Sequence, residues 1–188
     1  MGAKVKRAMC HIINSRILCI ALLCLLTISA SAVRAQTAGS IEQNFASSLT
    51  TMSSEALSTS GGFYVPAYSS VSMSQGKLRA DFSVTLSIHN ASETRPLVLK
   101  RIAYFETGGK MVESYLKSPI ALKPFATIEI IVPTTDTRGG TGANFVVDWA
   151  AAGEIAEPVV EALMFGGIGS GHYAFISQGR PIRMIGKN

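Results

Sequence analysis

Apolar and polar side chains alternate without a break from Leu78 to His89. Leu78, Ala80, Phe82, Val84, Leu86 and Ile88 take one set of positions, and Arg79, Asp81, Ser83, Thr85, Ser87 and His89 take the other. A period of two places each set on one face of a pleated strand, so the segment is predicted as a strand with one buried and one wet face. Asn90 to Pro96 carries the Asn, Ser, Thr and Pro of a turn. A more apolar strand is predicted from Leu97 to Thr107. Gly108-Gly109, which tolerates the positive φ of a tight turn, predicts a hairpin into Lys110 to Leu116. Further strands are predicted over Thr127 to Val132, Asn144 to Trp149, Pro158 to Phe165 and His172 to Ser177. Ile120 to Lys123, bracketed by Pro119 and Pro124, reads as an edge or crossover piece, and Phe63 to Tyr68 reads as an edge strand because Pro66 has no N–H for a ladder. Ala150 to Ala156 offers one helical turn at most, given Gly153.

Strands at intervals of about ten residues, separated by Gly, Pro and Asn, predict an all-β protein. The order is a long alternating strand, a second strand, a Pro-flanked crossover and a strand carrying Trp149, the single tryptophan. That order fits an immunoglobulin-like antiparallel β-sandwich of about seven to eight strands. Trp149 is expected as an anchor between the sheets.

The N-terminus follows a different rule. Lys4, Lys6, Arg7 and Arg16 precede an apolar run from Ile17 to Leu26, and small residues follow at Ala30-Ser31-Ala32 and Val33-Arg34-Ala35. This is the pattern of a secretory signal peptide over residues 1–35, with cleavage after Ala32 or Ala35. Leu22-Leu23 before Cys24, and Leu18 before Cys19, lack the small residue a lipidation site needs. Retention as a single-span anchor is the alternative, though the apolar run is short against the roughly 20 residues a span takes.

Removing residues 1–35 changes the charge and the redox chemistry. Five of the 17 basic residues lie before the cut, and all 12 acidic residues lie after it, so the net charge falls from +5 to zero. A neutral domain offers no excess positive charge for a nucleic-acid partner. All three cysteines, Cys10, Cys19 and Cys24, leave as well, which excludes disulfides, Cys-ligated metal and a Cys nucleophile from the remainder. Residues 36–61 are rich in Ser and Thr and read as a linker, with a marginal helix near Ile41 to Leu49. Residues 62–188 read as one folded domain.

Four blocks, Gly62-Phe63-Tyr64-Val65-Pro66-Ala67-Tyr68-Ser69-Ser70, Ser87-Ile88-His89-Asn90, Asn144-Phe145-Val146-Val147-Asp148-Trp149 and Gly171-His172-Tyr173-Ala174-Phe175-Ile176-Ser177, together resemble a family of small exported bacterial proteins known only as a domain of unknown function. The resemblance covers about residues 62–182. It implies a bacterial, extracytoplasmic setting and brings no activity, substrate or catalytic residue with it.

Candidate chemistry is sparse. Gly166-Gly167-Ile168-Gly169-Ser170-Gly171-His172 can expose backbone N–H groups to an anion. Phosphate loops, however, need a helix after the glycines, and Tyr173 to Ile176 reads as a strand, which favours a turn or bulge. Ser170, His172 and Asp148 are the residue types of a hydrolase triad, but Ser170 and His172 stand two apart and no G-x-S-x-G elbow is present. His89 and His172 lack metal-ligand spacing, and Asp136 is a lone carboxylate in the polar loop from Thr134 to Gly142. Glu154, Glu157 and Glu161 read as solvated rim residues. Arg180 either binds a carboxylate or phosphate beside the glycine loop or pairs internally with Asp148 or Glu161. Phe63, Tyr64 and Tyr68 around Pro66 either recognise an extended ligand or shield an edge. Asn90-Ala91-Ser92 matches a glycosylation sequon but reads as turn chemistry.

The expectation is a non-catalytic, exported binding or assembly module of the bacterial cell envelope, periplasmic or secreted. Its candidate ligand residues are Gly169, Ser170, His172, Arg180 and Asp148. No cofactor and no metal are expected. The expected partner is an envelope protein or a small ligand, with no nucleic acid, and with a membrane only if the N-terminal segment is retained. The enzymatic alternative is a small hydrolase using His172 with Ser170 or Asp148.

Overall fold

Where a sheet face is buried, the structure follows the alternation residue by residue. In the computed structural model, which describes residues 40–185, Leu78–His89 is one continuous strand. Ala80, Phe82, Val84, Leu86 and Ile88 are buried, and the residues between them are not. The signal-like segment 1–35 lies outside the described residues.

The strands, in chain order, are β1 (Leu49–Thr50), β2 (Thr59–Pro66), β3 (Ser70–Met73), β4 (Leu78–His89), β5 (Leu97–Phe105), β6 (Met111–Ser114), β7 (Ile120–Leu122), β8 (Thr127–Val132), β9 (Asn144–Ala151), β10 (Val159–Ile168), β11 (Gly171–Gln178) and β12 (Arg180–Ile185). They form two antiparallel layers. The first runs β1-β7-β5-β9-β2-β12, with β6 beside the far end of β5. The second runs β11-β10-β4-β3, with β8 beside the other end of β4. The domain is a β-sandwich. Its centre interlocks in the manner of immunoglobulin-like sandwiches: β4 pairs with β8 in one layer, and the intervening β5 pairs with β9 in the other.

Both layers turn their apolar faces inward. Tyr104, Phe145, Leu86, Ile88, Leu99, Ile102 and Met164 are fully buried, and Trp149 is packed among them as expected. Burial of that many large side chains explains how the domain dispenses with covalent cross-links.

The described residues form twelve strands where seven or eight were expected, because several are small pairing extensions at the margins. β3 covers one end of β4, and β12 covers β2. β2 is therefore an interior strand, between β9 and β12, and not the edge strand expected from Pro66. Pro66 is its last residue, where the missing N–H costs the ladder least. The Ser/Thr-rich stretch is also less free than its composition implies. A helical turn, α1 (Ile41–Asn44), and β1 lie within it, and β1 pairs with β7. Ile41, Phe45 and Leu49 recur every four residues and pack against the core, so tertiary contact supports a turn too short to stand alone.

The sequon-like turn is a hinge pin. Asn90 is buried; its side-chain amide donates to the carbonyls of Arg95 (2.8 Å), Lys123 (3.0 Å) and Leu122 (3.3 Å), and its Oδ1 accepts the N–H of Ser92 (3.0 Å). The group a glycan would need is thus consumed in holding two turns together.

Candidate anion-binding trough

The outward face of the first layer is built around Asp148. On β9, Val147 and Trp149 point into the core, so Asp148 between them points out. Its cross-strand neighbours are Gly62 on β2 and Arg101 on β5. Arg101 faces outward because the β5 ladder slips by one residue at Lys100, between Leu99 and Arg101. A bulge of this kind sends two consecutive residues to the same side, and here it places Lys100 and Arg101 together. A second slip, between Pro181 and Arg183 on β12, sets Arg183 opposite Gly62.

These three registers bring charges from β5, β9 and β12 into one place. Arg101 Nε lies 2.8 Å from Asp148 Oδ2 as an ion pair without hydrogen-bond alignment, and Arg183 Nη2 donates to Asp148 Oδ1. Asp148 and Arg183 stand two strands apart, about 10 Å at the backbone. They meet only because the strand between them carries glycine. A Cβ on Gly62 would come 2.8 Å from Asp148 Oδ1 and 2.9 Å from Arg183 Nη2. Gly61 serves the opposite face, where a Cβ would come 2.7 Å from the Trp149 ring. The Gly61-Gly62 pair therefore admits a large anchor below the sheet and an ion cluster above it.

The result is an open trough of about 460 Å³ lined by Ser60, Gly61, Lys100, Arg101, Asp148, Trp149, Arg183 and Ile185. Two arginines pair with one carboxylate, and Lys100 lines the same trough. The Arg101 and Arg183 side chains keep 42% and 51% of their surface exposed, so their remaining N–H donors face solvent. A planar fork with free donors is suited to bidentate capture of a carboxylate or phosphate oxygen pair.

The other sequence-derived candidates do not converge here. Gly169 and Ser170 are the two-residue turn between β10 and β11, with Gly169 at φ +59°. His172 lies opposite Gly167 on β11, exposed and stacked on Phe165 with ring centroids 6.1 Å apart. Arg180 lies opposite Tyr64 at the start of β12 and makes no ion pair among the described residues; the partners of Asp148 are Arg101 and Arg183 instead. Asp148 sits on the outward side of the first layer and His172 belongs to the second, so the structure does not bring them together.

The remaining candidates resolve locally. The Asp136 carboxylate is taken by Arg138, which donates from Nε (2.8 Å) and Nη2 (2.7 Å). Those hydrogen bonds hold the Asp136 pKa below its usual range despite partial burial. No group of three or more potential metal ligands occurs among the described residues. Phe63 is buried, Tyr64 faces out, and Tyr68 packs on Phe175 with centroids 5.8 Å apart.

Lys100, Arg101, Arg183, Gly61 and Gly62 were not anticipated from the sequence. Two signals pointed to them. Lys100-Arg101 is a consecutive polar pair inside an otherwise apolar strand, which is how a bulge reads. Paired glycines inside a strand mark close approach by something else.

Comparison with known proteins adds a family and no activity. The profile of a family described as "Protein of unknown function (DUF3124)" matches residues 60–182. That span contains every residue of the ion cluster except Arg183. No curated protein matches the chain. A solved structure similar to it is that of Thermotoga maritima 1070, at 12% identity and a TM-score of 0.38, covering 68% of this chain and 96% of that one.

Proposed function

The chain belongs to the DUF3124 family, whose function is not known, and we propose that it is a non-catalytic binding module of the bacterial cell envelope that captures an anionic group in the trough. The observation that carries this reading is the imbalance at Asp148: one carboxylate is shared by Arg101 and Arg183, with Lys100 beside them, above a floor of glycine. Buried clamps are usually charge-balanced; an open one with spare donors is built to accept a further anion.

Two features support a module rather than an enzyme. Ser60 is the one hydroxyl lining the trough, and both histidines of the described residues, His89 and His172, belong to the second layer. The hydrolase alternative needs a histidine within reach of a serine hydroxyl, and neither His89 nor His172 lines the trough. Two features support an exported setting: the basic, apolar and small-residue succession over residues 1–35, and the absence of cysteine after Cys24. No helix among the described residues is long and apolar enough to cross a membrane.

The test is calorimetric titration of the protein with inorganic phosphate at low salt, beside the Arg183→Gln and Lys100→Gln variants. Saturable binding that weakens by about tenfold in Arg183→Gln, as expected for loss of a charge-assisted contact, supports the reading. Absence of saturable binding, or equal binding by all three proteins, overturns it.

A further inference from the structure

We propose that β11 is a pairing edge through which a second copy of this chain docks, antiparallel, to extend the second layer across a two-fold axis. β11 is hydrogen-bonded to β10 over all eight of its residues, and nothing among the described residues hydrogen-bonds to its other side. An exposed ladder of this length is normally blunted by charge, proline, a bulge or brevity. The other edges of the sandwich show those devices. β12 carries Arg180, Pro181, Arg183 and a bulge. β1 has two residues, and β3 and β6 have four each. β8 carries Glu129 and ends against Pro133. β11, Gly-His-Tyr-Ala-Phe-Ile-Ser-Gln, has no charge, no proline and no bulge.

Its side chains are unfinished on both faces. Ile176 is 60% exposed outward, and Tyr173 (48%) and Phe175 (37%) are only partly covered on the inward side. The strand is also its own best complement. In an antiparallel pair about a two-fold axis normal to the sheet, residues facing each other have the same parity, so outward side chains meet outward ones. A register centred on Phe175 sets Phe175 against its copy and Ile176 against Ala174 of the second chain. No like charges meet at such a seam, whereas the same operation on β12 would set arginine against arginine. Uncharged, full-length and unprotected, the edge fits an identical strand with no electrostatic penalty, and pairing covers the apolar groups that the monomer leaves half-wet.

The experiment is sedimentation equilibrium, across the micromolar range, of protein recovered from cells expressing the full chain. The unsubstituted chain is expected to dimerise. Combined Ala174→Lys and Ile176→Lys places like charges across the seam from exposed positions and is expected to raise the dimer dissociation constant by about tenfold or more, with unchanged circular dichroism. Ile131→Ser removes exposed apolar surface on β8, which pairs with β4 and not with the edge, and should leave the dimer in place. A monomeric unsubstituted chain, a dimer indifferent to the lysines, or a dimer lost equally in Ile131→Ser would each overturn the proposal.

Discussion

Strands β11 and β12 are consecutive in the chain, separated by Gly179 alone, yet they finish their sheets in opposite ways. β12 closes the first layer with two arginines, a proline and a bulge, and one of those arginines reaches across β2 to Asp148. β11 closes the second layer with no charge at all and leaves Tyr173, Phe175 and Ile176 partly in water. An edge can be protected by making it unattractive to another strand or left ready to receive one. The same chain does both within 15 residues, and the arginine that helps blunt one edge also supplies the trough with a cation. Ligand capture belongs to the closed edge and self-pairing to the open one.

The largest disturbance of that contrast comes from below the closed edge. Trp149 fills the space under Gly61 and ties β9 to β2, the strand on which β12 rests. Trp149→Ala is expected to cost about 3–5 kcal/mol, the range for removing a large aromatic from a packed core. Urea unfolding would measure it, and a loss below about 1 kcal/mol would mean that the ring does not anchor the first layer.

Next in size is the joint between the two edges. Gly179 donates its N–H to the Val160 carbonyl at 2.7 Å, and a Cβ there would stand 2.7 Å from that same oxygen and 3.2 Å from Val65. The near atom is backbone and cannot swing aside. Gly179→Ala is expected to destabilise by about 1–3 kcal/mol, as overpacking does. It should also increase amide exchange in β11 and β12 together. Exchange that rises in one strand alone would show that the crossing does not couple them.

How far the sequence foretold these regions depends on what buries each segment. β4 and β8 were legible to the residue, because a half-buried strand writes its alternation into the chain. β12 was missed: Arg180-Pro181-Ile182-Arg183 has the residues of a protected edge, and edge protection erases the pattern by which strands are recognised. Gly166 and Gly167 read as a loop but continue β10, where a Cβ on Gly166 would come 2.6 Å from the Asp81 carbonyl. Glycine there marks close strand packing, and local composition cannot distinguish that from flexibility. At the trough, Asp148 was legible as a candidate, but its partners were not. Arg101 and Arg183 reach it through two one-residue slips in register, and register is set by tertiary packing, which no local window contains.

A smaller effect sharpens the closed edge. Asp148 holds β12 through Arg183, in an ion pair whose partners are partly exposed, so screening limits its worth to about 1 kcal/mol or less. Asp148→Asn should therefore change the urea midpoint only slightly. The same substitution removes the trough's resident anion and leaves three cations without one, so phosphate should bind more tightly than to the unsubstituted chain. Weaker binding would mean that Asp148 positions the guanidinium groups rather than competing for them.

The smallest predicted effect separates both edges from the rest of the sandwich by pH. Tyr104 and Tyr115 lie near the far end of β5, each within 6.3 Å, centroid to centroid, of the Phe145 ring. Burial is the main cause that raises both phenol pKa values above the ordinary 10.0, and the Glu113 carboxylate adds to the shift at Tyr115. A group whose pKa is raised on folding binds its proton more tightly in the folded state. Its contribution is therefore fully present below the unfolded value and is lost as pH climbs beyond about 10. The urea midpoint should stay level through neutral pH and decline in that alkaline window. Tyr115→Phe should make the decline shallower, because the variant has one fewer phenol to ionise on unfolding. Tyr104→Phe should do the same, because it too removes a phenol whose ionisation burial opposes. An alkaline decline as steep in both variants as in the unsubstituted chain would place its origin elsewhere in the molecule.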